Sequence, residues 1–358
     1  MIVCLRRGAT PDEIAEVIRR IESAGCRAIV TEGTETIVIS LIGETRGVDE
    51  SLFRGLDSVE RAVRITRPWR LAARANEPGG RVVHVGDVEI GGGRPVMIIA
   101  GPCSIEGMDT FLPLADACRA AGAQALRGGA YKPRTSPYAF QGLGREGLRC
   151  LVEARRRTGM PIVTEATGSH HHRSPDGAFE ERTVLDEVVL NADALQIGTR
   201  NMKAYGFLEE AARATAARKM PILLKRGEAA SIEEFLLAAE YILVNGNPDV
   251  ILCLRGIRSS EAGRFLRYDP DIAAIPVLKR ETHLPVVFDP SHATGDRRYV
   301  RSIALAAAAA GADGLMIEVH DRPEEAWSDA GQAIRPADLA RIVREVRGIE
   351  SARANPTT

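Results

Sequence analysis

Four side chains of this 358-residue chain offer the donor atoms of a single cation site: a sulfur from Cys103, a nitrogen from His292, and oxygens from Glu318 and Asp329. A mixed S, N and O set suits one divalent ion of Mn, Fe, Co, Zn or Cu, whereas Mg and Ca favour oxygen alone. A second group is basic: Arg127, Lys132, Arg134, Arg200, Lys225 and Arg255. Converging in one mouth, these cations would repel one another unless anions bind among them, and arginine is built for bidentate capture of phosphate or carboxylate. Each residue also has a plain structural reading. A lone cysteine or histidine is commonly core packing, an aspartate before Ala-Gly, as Asp329 is, commonly closes a turn, and loop arginines are commonly solvated. Joint placement gives the chemical reading its weight, and placement depends on the elements.

Those elements have a clear rhythm from residue 96 onward. Eight short apolar runs, at 96–100, 124–128, 161–165, 194–198, 221–225, 250–256, 285–289 and 314–318, recur about 27 to 37 residues apart with helical patterns between them. Unbroken rather than alternating hydrophobicity fits parallel strands buried on both faces. The spacing predicts a (β/α)8 TIM barrel over 96–350; an open doubly wound sheet is the alternative. Active sites of such barrels lie at the carboxyl ends of the strands. Those ends here carry Cys103, Arg127, Glu165, Arg200, Lys225, Arg255, Asp289 with His292, and Glu318.

Residues 1–66 read as β-α-β-β-α-β, the order of a ferredoxin-like (ACT-like) α+β domain. Its first helix is marked by Thr10 as cap, Pro11 at the first turn, Glu13 completing a capping box, and Ile14, Val17, Ile18 and Ile21 at helical spacing before Gly25. A short second helix is expected around 48–56. Residues 67–95 read as a linker followed by a β-hairpin that plugs one end of the barrel, and 351–358 as a flexible tail.

The balance of 47 basic against 48 acidic residues offers no field for nucleic acid or an anionic membrane, so small substrates recognised locally are expected. No apolar run approaches the roughly 18 to 20 residues that span a bilayer, and MIVCLRRGATPDE becomes charged too early for a signal peptide, which points to a cytoplasmic protein. The six cysteines form no C-x-x-C pair, which argues against a disulfide framework or zinc ribbon.

The segments AGPCSIEG (100–107), LRGGAYKPRTSPYAFQGLG (126–144), VTEA (163–166), QIGTRN (196–201), ILLKRG (222–227), DPSHATG (289–295) and IEVH (317–320) together resemble 3-deoxy-D-arabino-heptulosonate 7-phosphate (DAHP) synthase. The amino-terminal module extends the resemblance to the type I beta form with a ferredoxin-like regulatory domain. Lys132-Pro133-Arg134-Thr135-Ser136 matches the K-P-R-[ST] of these enzymes rather than the K-A-N-R-S of 3-deoxy-octulosonate 8-phosphate synthases, the nearest relatives. The resemblance implies metal ligands Cys103, His292, Glu318 and Asp329, and a phosphoenolpyruvate site of Arg127, Lys132, Arg200, Lys225 and Arg255. It implies erythrose 4-phosphate contacts from Arg134, Thr135 and Ser136, and an acidic residue, Glu165, near the reacting centre. The implied reaction is an aldol-like condensation that opens the shikimate pathway to the aromatic amino acids, with Lys132 as proton donor. A homotetramer and feedback by Tyr or Phe at the amino-terminal domain are implied as well.

Three features depart from that pattern, one of them the atypical stretch NMKAYGFLEEAARATAARK (201–219) after the fourth run. Cys253-Leu254-Arg255-Gly256 stands where many type I beta sequences have C-E-R-G, with the arginine kept. Residues 168–184 form a longer loop containing His170, His171 and His172, read either as an exposed insertion or as a lid or incidental metal site. The alternatives are an octulosonate synthase or a side-branch synthase using a modified sugar phosphate. A Schiff-base aldolase on Lys225 and a catalytically inactive sensor are the readings from other classes.

Overall fold

The first helix, Pro11–Ser23, forms as its residues dictate. The Glu13 amide donates to Thr10 Oγ1 at 3.3 Å and the Thr10 amide donates to the Glu13 carboxylate at 2.7 Å, while Val17 and Ile21 are buried. The structure is a computed structural model and describes residues 1–32, 36–43, 45, 47–63, 68–134, 136, 138–173, 179–260, 263 and 265–354. It divides into two units, Met1–Pro68 and Trp69–Thr358.

The first unit is a four-stranded antiparallel sheet in the spatial order Arg27–Glu32, Ile37–Ile42, Ile2–Leu5, Val59–Val63. The Pro11–Ser23 helix closes its core with Val3, Leu5, Ile39 and Leu41. The expected second helix is corrected to one 3-10 turn, Glu50–Leu52: Asp49 caps it, and Gly55, at φ +91°, turns the chain away.

In the second unit the linker reading of 67–80 also needs correction from Trp69 onward. The amides of Arg70 and Ala72 donate to the Glu240 carboxylate at 2.7 Å, Trp69 donates to the Glu281 carbonyl at 3.4 Å, and Ala72 is fully buried. Apolar Trp69 and Ala72 give this stretch something to bury, so it packs on the barrel as a collar. The hairpin Val82–Val85 with Val88–Gly91 follows, and its Val83, Val85 and Ile90 seal the interior at the amino-terminal end of the strands.

Eight parallel strands close the barrel: β1 Met97–Gly101, β2 Ala125–Arg127, β3 Ile162–Glu165, β4 Ala194–Ile197, β5 Ile222–Lys225, β6 Val250–Leu254, β7 Val286–Phe288 and β8 Gly314–Glu318. Closure leaves no unpaired edge. Alternate residues on each strand point to opposite faces. Ile98, Leu126, Ile162, Leu195, Leu224, Leu252, Val286 and Leu315 face the surrounding helices. Ile99, Ala125, Val163, Ala194, Leu223, Cys253, Val287 and Met316 fill the interior. One step of two further along, the inward series becomes Gly101, Arg127, Glu165, Gln196, Lys225, Arg255, Asp289 and Glu318. Strand geometry alone therefore delivers one residue per strand to the carboxyl-end face.

The last helix runs Pro336–Ala354, so 351–354 are helical rather than tail; Val346 and Ile349 pack on the core, and Arg353 donates to the Ala308 carbonyl at 3.1 Å. The 168–184 loop contains a two-stranded ribbon, His171–Arg173 with Phe179–Thr183. Among the described residues no helix is long and apolar enough to cross a membrane.

Candidate active site

The four donor residues meet at the carboxyl-end face. Ligand atoms of Cys103, His292, Glu318 and Asp329 all lie within 4.8 Å of one another. Cys103 follows β1 after a Gly-Pro turn, His292 sits in the one-turn helix Pro290–Thr294 after β7, Glu318 ends β8, and Asp329 lies in the following loop. Cys103 Sγ donates to Asp329 Oδ2 at 3.0 Å, and His292 Nε2 lies 3.3 Å from Glu318 Oε1. Asp329 adopts the left-handed region at φ +51°, a conformation costing a non-glycine residue on the order of 1 kcal/mol and found where the surroundings over-determine it.

Protonation fits a cation in this position. His292 Nδ1 bonds Asp289 Oδ2 at 2.7 Å, which orients the ring and leaves Nε2 toward the other donors. Burial holds His292 below its ordinary value, so the ring is neutral near pH 7. Burial and the charge of Glu318 push the Cys103 thiol up to about 12. Glu318 stays below the usual carboxylate range despite burial, with the Arg127 guanidinium beside it. One soft, one borderline and two hard donors, two of them buried and two half-buried, suit a single divalent ion; as a structural core they would be a poor choice of residues.

Beside the donors the site opens into a cavity of about 350 Å³ lined by seven basic side chains, Arg127, Lys132, Arg134, Arg200, Lys225, Arg255 and Arg267, against Glu165, Glu228 and the donors His292 and Asp329. Arg127 Nη1 donates to Glu318 Oε1 at 2.6 Å. Lys132 Nζ lies 2.9 Å from the Cys103 carbonyl and 3.1 Å from its sulfur, beside the donors. Lys225 is buried and donates to Asp289 Oδ2 at 2.6 Å. Asp289 thus faces both the lysine and the histidine, and the two together hold its carboxyl well below the ordinary range despite burial. Arg255 stacks on Tyr268, 4.4 Å from the ring centroid, and donates to Thr199 Oγ1 at 3.3 Å. Among the described residues its Nε and Nη2, like Arg127 Nε, are buried without a partner, as suits donors that meet an anion.

Arg134 bonds the Phe140 carbonyl at 3.0 Å, Ser136 is exposed on the same loop, and Arg200 is exposed at the rim. Thr135 lies outside the described residues. Glu165 accepts from Gln196 Nε2 at 2.9 Å, and Gly198 admits it: a Cβ there would fall 2.1 Å from Glu165 Oε1. Among the described residues, His170 and His171 contribute to neither cavity nor donor cluster.

Sequence reasoning left Asp289, Gln196, Tyr268, Arg267 and Gln332 without roles. The first two were recoverable, since each is the next inward residue of its strand. The other three reach the site from loops, where no period marks them.

The comparisons with known proteins agree with this geometry. Residues 70–353 match the DAHP synthetase I family, and residues 1–67 match the DAHP synthase ferredoxin-like domain. A phospho-2-dehydro-3-deoxyheptonate aldolase of Thermotoga maritima is 42% identical over 98% of both chains. The crystal structure of the DAHP synthase from that organism superposes with a TM-score of 0.84 over 98% of this chain and 97% of the other. A 2-dehydro-3-deoxyphosphooctonate aldolase of a Geobacter species is 29% identical over 76% of this chain and 98% of its own. With its barrel and its amino-terminal module both matched, the chain belongs to the DAHP synthetase I family.

Proposed function

We propose that the chain condenses phosphoenolpyruvate with erythrose 4-phosphate to give DAHP and phosphate, with one divalent cation held by Cys103, His292, Glu318 and Asp329. The observation that carries this is one cavity that brings a mixed donor set together with buried arginine nitrogens that have no partner among the described residues. When bound, the cation supplies Lewis-acid polarisation of the aldehyde. Arg127, Arg200, Lys225 and Arg255 hold the carboxylate and phosphate of phosphoenolpyruvate, and Arg134, Thr135 and Ser136 hold the sugar phosphate. Fixing two anions side by side brings C3 of the enol within reach of the aldehyde carbon and offsets their mutual repulsion.

The new C3–C1 bond leaves the former aldehyde oxygen as an alkoxide, which Lys132, the ammonium nearest the donor cluster, protonates. Water adds at C2 of phosphoenolpyruvate, and Glu165, fixed by Gln196, accepts its proton. Cleavage of the C2–O bond to the phosphate then expels phosphate, which carries away the proton of the new C2 hydroxyl, and leaves the ketone. The 1–67 domain is the place for a Tyr or Phe effector, in a homotetramer.

Initial rates with erythrose 4-phosphate and with arabinose 5-phosphate, each with and without EDTA, test the reading. Turnover with the four-carbon sugar that EDTA abolishes and added metal restores is expected. Preference for the five-carbon sugar would assign an octulosonate synthase instead, and full activity after complete stripping would remove the cation from the scheme.

A further inference from the structure

The two carboxylate donors do not touch each other, yet one continuous hydrogen-bonded bridge joins them. Glu318 Oε2 accepts from Gln332 Nε2 at 2.6 Å, and the other end of that amide, Oε1, accepts from Arg267 Nη1 at 3.1 Å. The same Arg267 nitrogen donates to Asp329 Oδ1 at 3.2 Å. Asp329 then uses its second oxygen for the Cys103 thiol. Gln332 is 2% exposed, so its amide cannot trade these partners for water. Its orientation is set by its neighbours, since only the NH2 end can face a carboxylate and only the oxygen can face a guanidinium.

Arg267 is itself tied to the element that carries His292. Its amide donates to the Thr294 carbonyl at 2.9 Å, and Gly295, at φ +68°, lets the chains approach: a Cβ there would fall 2.5 Å from Arg267 Cβ. The bridge therefore links the loop after β6, the turn after β7 and the loop after β8.

We infer that Gln332 and Arg267 are positioning residues that set the mutual distance and orientation of Glu318 and Asp329, and thereby the affinity and geometry of the cation site. This rests on the proposed metal reading. The bridge places its polar ends on the carboxylates, not in the space between the four donors, so it acts through them. Glutamine suits the position better than glutamate, which would set a second carboxylate against Glu318 Oε2 where a donor stands. Hydrogen-bonded partners behind metal ligands characteristically change affinity by about 10- to 100-fold when removed.

The test uses the full chain stripped with EDTA and titrated with Co2+, reading the dissociation constant and the visible absorption of the bound ion. Gln332→Ala and Arg267→Met are expected to weaken Co2+ binding by about 10- to 100-fold and to alter the cobalt spectrum. Arg267→Lys, which keeps one cation toward Asp329, is expected to recover part of the loss. The double variant Arg267→Met with Gln332→Ala is expected to lose no more than the worse single variant, because one bridge is broken only once. Dissociation constants within about twofold of the parent in both single variants, or fully additive losses, would overturn the inference. The parent and Cys103→Ser serve as references: if they bind Co2+ equally, the metal reading itself falls, whereas a parent that binds and bridge variants that bind as well remove only the bridge. Urea unfolding of the metal-free forms guards against misfolding, and a variant that unfolds early is replaced by Gln332→Asn, judged on the same criteria.

Discussion

Loading the metal-free protein should expel close to one proton, and Cys103 should be its source. Burial and the nearby charge of Glu318 push the thiol up to about 12. At a pH of about 7.5 its ionisation then costs on the order of 6 kcal/mol, taking about 1.4 kcal/mol per pH unit. Sulfur binds a cation as thiolate, so binding must supply that energy and the proton must leave. The other donors have none to lose. Burial keeps His292 neutral, and Glu318 and Asp329 stay ionised despite burial, helped by Arg127 for the first and by the Cys103 thiol and Arg267 for the second. The sign follows directly: protons compete with the cation for one sulfur. The apparent association constant should therefore rise about tenfold per pH unit between roughly pH 6.5 and 8.5. Calorimetric titration with Zn2+ in buffers of different ionisation enthalpy reads the affinity and the proton count together. A count near zero would refute the reasoning, because the sulfur would then be ionised beforehand or would not bind. A count near two would refute it from the other side, by requiring a proton from outside the four donors.

Asp289→Asn removes the charge that faces both Lys225 and His292. Metal affinity should fall about 10- to 100-fold, and unfolding should come earlier by roughly 3–5 kcal/mol, since Lys225 stays buried without its counter-ion; metal titration and denaturant melts check both. Arg255→Met should raise KM for phosphoenolpyruvate by about 30-fold or more, equivalent to at least about 2 kcal/mol of a buried charged contact, with a smaller change for the sugar phosphate. Steady-state kinetics with one substrate varied at a time reads the split, and equal rises in both constants would contradict the assignment. A chain of residues 69–358 should keep turnover and lose inhibition by Tyr or Phe; inhibition that survives truncation would place the effector site on the barrel.

How much of this was legible in the sequence depends on which element carries each residue. All eight barrel strands were readable because strands buried on both faces keep nearly unbroken apolar runs, and the runs end within two residues of the strands. The site residues on those strands were readable for a related reason. Val163 fills the interior and Glu165 follows two positions later, Leu223 is followed by Lys225, Val287 by Asp289, and Met316 by Glu318. The polarity of the inward series changes at one level around the whole barrel. Where the chain leaves the strands that logic stops. Gln332 and Arg267 sit in loops, and only the closed structure shows that they share a hydrogen-bonded path. Residues 351–354 were misread as tail because they continue a helix whose partner surface, including the Ala308 carbonyl near Arg353, is built from residues far away in sequence; 355–358 lie outside the described residues. The second helix of the first unit failed for a local reason, since nine residues ending in Gly55-Leu56 are too few to outlast a left-handed glycine. Periodicity thus locates whatever an extended strand presents, and it is silent about groups that loops bring in. Of the donors only Glu318 belongs, with the inward strand-end cations, to the first class; Cys103, His292 and Asp329, and the residues that hold Glu318 and Asp329 in register, belong to the second.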